Sequence, residues 1–337
     1  MPRLSSRLVR LILGWLVLIL SGSVCANDQP PIDDRTRLIG LQAPDWFHLS
    51  FLDLGEDLQT ARDEGKRGLV VYLGMDDCPY CEALFQVNFQ QPDIVEYTRR
   101  HFLVVALDVL GSRTMTTLEG RSLTEREFAV GQRLNFTPSF LFHDLEGEPV
   151  FILRGYHSPY RFRAALEYVA DAHYQRESFR DYLARADPPP RFDADDLNHR
   201  DFFRPPPHRL DRSQVAAERP LVVFFEQGEC HACDVLHTEP LGDPEVLDLL
   251  SLFDVVQLDM WSDTPVVTPD GRRLTARQWA EEMDLFYAPT LVFFDELGEE
   301  ILRVDSVIRL HRLQAVLEYV LTRGYEEYPS FQTWRTR

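Results

Sequence analysis

Two pairs of cysteines are the residues of this chain whose type and spacing could carry out chemistry. Cys78–Cys81 has the sequence CPYC and Cys230–Cys233 has the sequence CHAC; each follows a short apolar run and opens a segment of helical character. Cysteines three residues apart on a first helical turn can form a reducible disulfide, and the helix N-terminus favours a thiolate on the first of them. The spacing therefore predicts thiol–disulfide exchange, in which an exposed first cysteine attacks and a more buried second cysteine resolves the mixed disulfide.

Two other roles remain open for these cysteines. Four cysteines in two pairs could bind zinc tetrahedrally, although zinc-binding pairs usually lie on short knuckles within one small unit. Each pair could also be an inert structural disulfide, although so short a ring adds little stability by loop closure. The sequence shows no Gly-rich phosphate loop and no Ser-His-Asp set. We therefore predict redox-active disulfides, with no other cofactor and no metal.

The elements that position the cysteines occur twice along the chain. Each copy has an apolar strand before its cysteine pair, a second strand that ends in Asp108 or Asp259, and a later proline, Pro138 or Pro289. The copies are 152 residues apart at the cysteines (78 and 230) and 151 apart at the prolines (138 and 289). A repeat of this length indicates a duplicated domain, because solenoid units repeat every ~20–50 residues.

Apolar periodicity predicts each copy in the order strand, helix, strand, helix, strand, strand, helix. In the first copy the predicted strands are residues 70–73, 102–108, 139–143 and 150–154. The predicted helices run from 78 to about 88, from 124 to 133 and from 158 to about 183. A β-α-β start followed by an antiparallel pair predicts an α/β fold with two tandem domains, each a mixed central sheet covered by helices.

The predicted organisation has six parts. Residues 1–26 are a signal peptide, 27–51 an N-terminal lead-in, 52–184 the first domain and 185–214 a Pro-rich linker. Residues 215–324 form the second domain, and residues 325–337 are a tail that could pack back through Tyr328, Phe331 and Trp334.

The N-terminal segment and the net charge bear on location and partners. Arg3, Arg7 and Arg10 precede a short apolar run that ends in small residues, which is typical of a cleaved secretory signal peptide. We therefore expect an exported, periplasmic protein; an uncleaved membrane anchor and a lipidated Cys25 are the alternatives. The formal net charge of −19 at pH 7 disfavours nucleic acid and anionic membranes as partners.

Both halves resemble the thioredoxin superfamily, through the strand, the Cys-x-x-Cys pair and the later Thr137-Pro138 or Ala288-Pro289 dipeptide. The long connection after Asp108, with its Gly-x-x-Leu-Thr motif, is similar to exported thioredoxin-like proteins of sulfur-oxidation loci, the SoxW type. The resemblance implies that both prolines are cis, since X-Pro is the one bond where cis costs little. The residues that it implies hold substrate are Tyr80, Thr137, Pro138, His231, Ala288 and Pro289.

The backbone beside such a proline can offer its amide and carbonyl to an extended substrate strand. In the family the residue before the proline tunes reactivity, so Thr137 and Ala288 predict two sites that behave differently. One family feature is missing, because the buried acid that accepts a proton from the second cysteine is replaced by Tyr72 and Phe224. The lysine that accompanies it is replaced by Ala106 and Gln257. The second cysteine must then lose its proton through water or through a nearby acid such as Glu226.

Two classes of function follow from the resemblance. The first is an oxidoreductase acting on thiols and disulfides of partner proteins, with reduction fed by a membrane electron donor favoured over oxidation or isomerisation of folding clients. The second is a binding protein that holds peptides without turnover. In the first class a relay of electrons between the two sites is a hypothesis special to this chain. Both cysteine pairs must then lie at a shallow reactive surface, each facing its own prolyl bond.

Overall fold

The computed structural model describes residues 32–35, 42–186 and 197–337. The predicted signal peptide, Cys25, residues 27–31 and 36–41 of the lead-in and residues 187–196 of the predicted linker lie outside the described residues. Within those three ranges, no helix combines the length and the apolar character that a membrane span requires.

The first domain is a four-stranded mixed sheet covered by helices. Its elements are α1 (Leu54–Asp63), β1 (Gly68–Gly74), α2 (Pro79–Gln86), α3 (Pro92–His101), β2 (Phe102–Asp108), β3 (Thr114–Thr116), β4 (Ser122–Thr124), α4 (Glu125–Gly131), β5 (Ser139–His143), β6 (Pro149–Arg154), α5 (Pro159–Ala170) and α6 (Phe179–Ala186). The strand order is β2-β1-β5-β6, with β1 parallel to β2 and antiparallel to β5. Every residue of β1 is buried, as expected for a central strand with both faces covered.

The second domain repeats this architecture. Its elements are β7 (His208–Arg209), β8 (Leu221–Glu226), α7 (His231–Thr238), α8 (Pro244–Leu250), β9 (Asp254–Asp259), β10 (Pro265–Val267), β11 (Arg273–Thr275), α9 (Ala276–Glu282), β12 (Thr290–Phe294), β13 (Glu300–Val304), α10 (Leu310–Leu321), α11 (Gly324–Glu327) and α12 (Phe331–Arg335). The main sheet has the order β9-β8-β12-β13, again with one parallel pair and two antiparallel pairs. The predicted α/β fold with two mixed sheets is therefore confirmed.

One predicted helix is wrong. The segment from 158 to about 183 is two helices, because α5 ends at Ala170 and Ala172 adopts a left-handed conformation with φ 54°. The chain then turns, and α6 packs against the second domain, where the rings of Phe179 and Phe286 lie 4.9 Å apart. The helical segment therefore breaks at Ala172, and its second part contacts the other domain.

The predicted linker is partly structured. Strand β7 pairs with β10 of the second domain, and Phe203 packs edge-on against Phe224 at 5.3 Å. The tail packs as predicted, since Phe331 and Trp334 are buried in the core of the second domain and Tyr328 lies against it.

The two domains meet through equivalent surfaces. The N–H of Val307 donates to the carbonyl of Tyr156 at 3.2 Å, and these residues are 151 positions apart, like the prolines. The guanidinium of Arg161 lies 4.6 Å from the centre of the Tyr287 ring, and that of Arg312, 151 residues later, lies 5.3 Å from the Phe136 ring. Such reciprocal contacts are those of a twofold dimer interface. The duplicated chain forms that interface within itself.

Candidate active sites

Both cysteine pairs are disulfides at the start of a helix. Cys78 is the N-cap of α2 and Cys230 is the N-cap of α7, and the Cα atoms of each pair are 5.2 Å apart. The N–H of Cys81 donates to Sγ of Cys78 at 3.0 Å, and that of Cys233 donates to Sγ of Cys230 at 3.1 Å. The first sulfur therefore occupies the position of an N-cap acceptor, where helix N–H groups and the helix dipole stabilise a negative charge.

The residue before each proline contacts the first sulfur. The Thr137–Pro138 and Ala288–Pro289 bonds are cis, as the resemblance implied. In the first site Oγ1 of Thr137 lies 3.2 Å from Sγ of Cys78, whereas in the second site the carbonyl oxygen of Ala288 lies 3.5 Å from Sγ of Cys230. A hydroxyl can donate to a thiolate and a carbonyl cannot, so the two first cysteines have different immediate environments.

The first site is covered by the second domain. Cys78 is only 2% exposed, so the expectation of an exposed attacking cysteine is wrong for this site. Tyr80 is also buried; its hydroxyl donates to Oδ2 of Asp34 at 3.0 Å and accepts the N–H of Arg309 at 2.9 Å. Burial raises the pKa of Tyr80 far above its usual value. The predicted substrate residue Tyr80 therefore binds the other domain in this structure.

Arg312 of the second domain also lies over the first site. Its guanidinium lies 3.4 Å from the centre of the Tyr80 ring, and Nη2 donates to the carbonyl of Thr137 at 3.1 Å. Burial lowers the pKa of Arg312 to about 10. Among the described residues, Nε and Nη1 of Arg312 have no hydrogen-bond partner. A buried cation thus sits over the first site with few of its donors satisfied.

The second site is more open. Cys230 is 9% exposed, and the flanking Glu229 and His231 are exposed. Ala232, at the position of Tyr80, is half-buried against the apolar cluster that contains Cys78. Cys230 is therefore also buried, although less than Cys78, so the expectation of an exposed attacking cysteine is wrong for this site as well.

A buried polar network lies beneath the second site. Glu226 is fully buried at the end of β8, and Nε2 of His237 lies 2.9 Å from its Oε1. Nε2 of Gln257 donates to Oε2 of the same carboxylate at 2.8 Å. His237 follows Cys233 by one turn of α7. Glu226 was expected to be an acid near the cysteines, whereas His237 was not predicted as a functional residue.

The first site lacks this network. The equivalents of Glu226, His237 and Gln257 are Gly74, Phe85 and Ala106. A Cβ on Gly74 would lie 2.3 Å from the hydroxyl oxygen of Tyr72, so the tyrosine fills the space that a side chain would need. Burial raises the pKa of Tyr72 well above its usual value, so its hydroxyl stays neutral at ordinary pH.

The described part of the chain contains no group of three or more His, Cys, Asp or Glu residues arranged to bind a metal ion. The four cysteines of the two pairs are joined to each other as two separate disulfides.

Comparison with known proteins finds similar solved structures. Among solved structures, a thioredoxin-fold protein from Helicobacter pylori aligns with 36% of this chain and 80% of its own, at 20% identity and a TM-score of 0.32. A thioredoxin from Thermus thermophilus aligns with 34% of this chain and 81% of its own, at 28% identity and a TM-score of 0.27. The reduced DsbD C-terminal domain of Neisseria meningitidis aligns with 34% of this chain and 93% of its own, at 14% identity and a TM-score of 0.26. No curated protein sequence matches.

The family described as thioredoxin-like domain matches two regions, residues 54–170 and 208–321. These regions contain both cysteine pairs and both cis prolines. Two such domains, each with a Cys-x-x-Cys pair at disulfide distance, support thiol–disulfide exchange as the general chemistry. The chain belongs to the thioredoxin-like domain family and carries the domain twice.

Proposed function

We propose that this chain is an exported thiol–disulfide oxidoreductase that exchanges disulfides with partner proteins. One observation carries the proposal: in both domains the first cysteine caps a helix and lies within 3.5 Å of the residue that precedes a cis proline. This arrangement supplies a stabilised thiolate next to a backbone carbonyl that can hold an extended partner chain.

The exchange is a two-electron transfer. The Cys230 thiolate attacks a partner disulfide, forms a mixed disulfide and releases one partner thiolate. Cys233 then loses its proton and attacks Sγ of Cys230, which releases the second partner thiolate and closes the Cys230–Cys233 disulfide. The partner is reduced by two electrons and this chain is oxidised, so a donor must reduce it again. The second step needs a proton acceptor near Cys233.

We place this activity in the periplasm, in the reducing direction, with a membrane electron donor that restores the dithiol. The predicted signal peptide and the resemblance to SoxW-type proteins support this location and direction. The reduction potential of each site, measured against glutathione in single-site variants, tests the direction. A value near the thioredoxin range of about −270 mV would support a reductant, and one near about −120 mV would indicate an oxidant of folding clients.

Trapping tests the exchange itself. Cys233→Ser and Cys81→Ser each keep the attacking thiol and remove the resolving one, so an adduct with a partner persists. With reduced variant protein and insulin as the disulfide substrate, we expect a covalent adduct from at least one of the two variants, and dithiothreitol should cleave it. Cys230→Ser and Cys78→Ser are the matched controls and should give none at their sites. If neither resolving-cysteine variant forms an adduct, the non-turnover peptide-binding class is favoured instead.

A further inference from the structure

The docking surface of the first site is already occupied. The carbonyl of Thr137 and the ring of Tyr80 border Cys78, and a partner chain that reached this cysteine would contact both. In the structure Arg312 of α10 donates to that carbonyl and lies over that ring, at 3.1 Å and 3.4 Å. The second domain therefore takes the place of a partner.

Asp34 forms hydrogen bonds both to the first Cys-x-x-Cys loop and to helix α10 of the second domain. Its carboxylate accepts the hydroxyl of Tyr80 at 3.0 Å and the N–H groups of His311 and Arg312 at 3.2 Å and 2.8 Å. It thus caps the N-terminus of α10 and holds the tyrosine of the first Cys-x-x-Cys pair at the same time. A carboxylate at this end of a helix is also stabilised by the helix dipole.

The tyrosine part of this lock has no counterpart at the second site. The residue at the position of Tyr80 is Ala232, which has no hydroxyl to bond and no ring to stack on. Arg161, the equivalent of Arg312, lies over Tyr287, as Arg312 lies over the equivalent ring of Phe136. Cys230 keeps 9% exposure against 2% for Cys78.

The contact between the second domain and the first site includes an unfavourable free energy, which separation of the two surfaces would remove. Arg312 is buried, and of its three guanidinium nitrogens only Nη2 has a hydrogen-bond partner among the described residues. Burying a cation with unsatisfied donors is unfavourable, and water restores those bonds when the surfaces separate. The contacts of Asp34 and Tyr80 offset this cost in the closed form.

From these contacts, and resting on the proposed function, we propose that the second domain is a built-in cap on the first site. In the closed chain partner proteins exchange disulfides only with Cys230–Cys233. Cys78 reacts with a partner only after the contacts of Asp34, Tyr80 and Arg312 open.

Thiol labelling of the full chain tests the cap without any partner. One background, Cys230→Ser/Cys233→Ser, keeps only the first site, and the other, Cys78→Ser/Cys81→Ser, keeps only the second. Each reduced protein is treated with iodoacetamide, which is small, and with a maleimide carrying a long polyethylene glycol chain. Dividing the maleimide rate by the iodoacetamide rate gives a bulky-to-small ratio for each first cysteine, and this ratio corrects for intrinsic thiol reactivity. We expect this ratio to be at least about 10-fold lower for Cys78 than for Cys230, the factor that about 1.4 kcal/mol of opening free energy produces.

Interface variants identify the cause. In the first-site background, Arg312→Ala and Tyr80→Phe should each raise the bulky-to-small ratio at Cys78 by about 10-fold or more. Tyr80→Phe removes only the hydroxyl and keeps the ring. It therefore still tests the cap if Arg312→Ala fails to fold. Arg163→Ala is the matched control, because Arg163 stacks on Tyr97 at 3.8 Å within the first domain. It should leave the ratio unchanged.

Two results would overturn the cap. The first is a bulky-to-small labelling ratio that is equal for Cys78 and Cys230 when the interface is unaltered. The second is a low labelling ratio at Cys78 that neither Arg312→Ala nor Tyr80→Phe raises. Failure of the proposed function is a separate result, since it appears as a lack of insulin adducts from a second site that labels freely.

Discussion

At the scale of single residues, the two sites differ most in what can receive a proton. Glu226 ends β8, and His237, one turn after Cys233 on α7, is bonded to it. The carboxylate and the histidine thus lie along the elements that carry the second cysteine pair. In the first domain the same positions are Gly74 and Phe85. Cys233 therefore shares its helix with a histidine that is bonded to a buried carboxylate, an arrangement for which the first domain has no equivalent residues at these positions.

Replacing Glu226 with Gln tests this role. Glu226→Gln should slow release of a trapped partner by Cys233 about 100-fold, the lower end of what a positioned acid–base group contributes. It should also lower the free energy of unfolding by ~1–3 kcal/mol, because a buried amide cannot satisfy His237 and Gln257 as the carboxylate does. The measurement is the lifetime of a mixed disulfide between Cys230 and a peptide thiol, across pH, in the Cys78→Ser/Cys81→Ser background.

Glu229→Gln is the matched control for this prediction. Glu229 is the exposed acid beside Cys230, so its replacement alters charge near the first sulfur without touching the buried pair. Release should remain fast in this control. A release rate and pH profile in Glu226→Gln equal to those of the parent would show that Cys233 gives its proton to another group.

The sequence located most of the site at this scale because its signals are local. Cysteine spacing identified the four sulfurs, and the downstream dipeptides identified the cis bonds at Pro138 and Pro289. His237 was missed because a single histidine has no pattern of its own; its role depends on Glu226, 11 residues away and buried with it.

At the scale of elements, strands were easier to predict than helices. The predicted strands 102–108 and 139–143 agree with β2 and β5 at both ends. Helix α3 was missed because only Ile94 and Thr98 face the core, too few to give a clear apolar stripe. Helix α1 was missed although Asp53 is its N-cap and accepts the N–H groups of Gly55 and Glu56.

The end of α5 gives a prediction at this scale. Ala172 is left-handed with φ 54°, and Arg323, its equivalent 151 residues later, has φ 52°. The left-handed conformation costs a side chain ~1–2 kcal/mol, and glycine loses ~0.5–1 kcal/mol through its greater freedom when unfolded. Ala172→Gly should therefore raise the free energy of unfolding by ~0.5–1 kcal/mol, as measured by urea denaturation.

The same substitution inside a helix is the control for Ala172. Ala315 lies within α10 and is half-buried, so Ala315→Gly should lower the free energy of unfolding by ~1 kcal/mol. Opposite signs for the two glycine variants are the expected pattern. Destabilisation by Ala172→Gly of the same size as by Ala315→Gly would mean that the helix break carries no strain.

At the scale of the whole molecule, the interface between the domains could not be predicted from the sequence. The bond between Tyr80 and the N–H of Arg309 joins residues 229 positions apart, and no local pattern marks either as an interface residue. Duplication explains why the interface exists at all. Two copies of a surface that matches itself become an internal pair when one chain carries both. The apolar cluster that contains Cys78 includes Tyr287 and Val307 of the second domain, so this pairing contributes to the burial of the first site.

The arrangement of the two sites bears on the hypothesis of a relay. Ala232, from the second Cys-x-x-Cys pair, packs against the cluster that contains Cys78 and Cys81, so both reactive loops border the same interface. A capped first site exchanges with bulky partners poorly, and the second site is a source of a thiol or disulfide within the same chain. Electrons should then pass between the pairs within one molecule when the interface opens.

The relay predicts a rate that is more than additive. With insulin as substrate and dithiothreitol as donor, independent sites would give the intact chain the sum of the rates of Cys78→Ser/Cys81→Ser and Cys230→Ser/Cys233→Ser. Coupled sites depart from additivity, and we expect the intact chain to exceed that sum by at least about twofold. An equimolar mixture of the two double variants is the control, because it allows exchange only between molecules. If the intact chain reduces insulin no faster than the sum of the two variant rates, the relay is eliminated. The first site would then react independently of the second, and only when the cap opens.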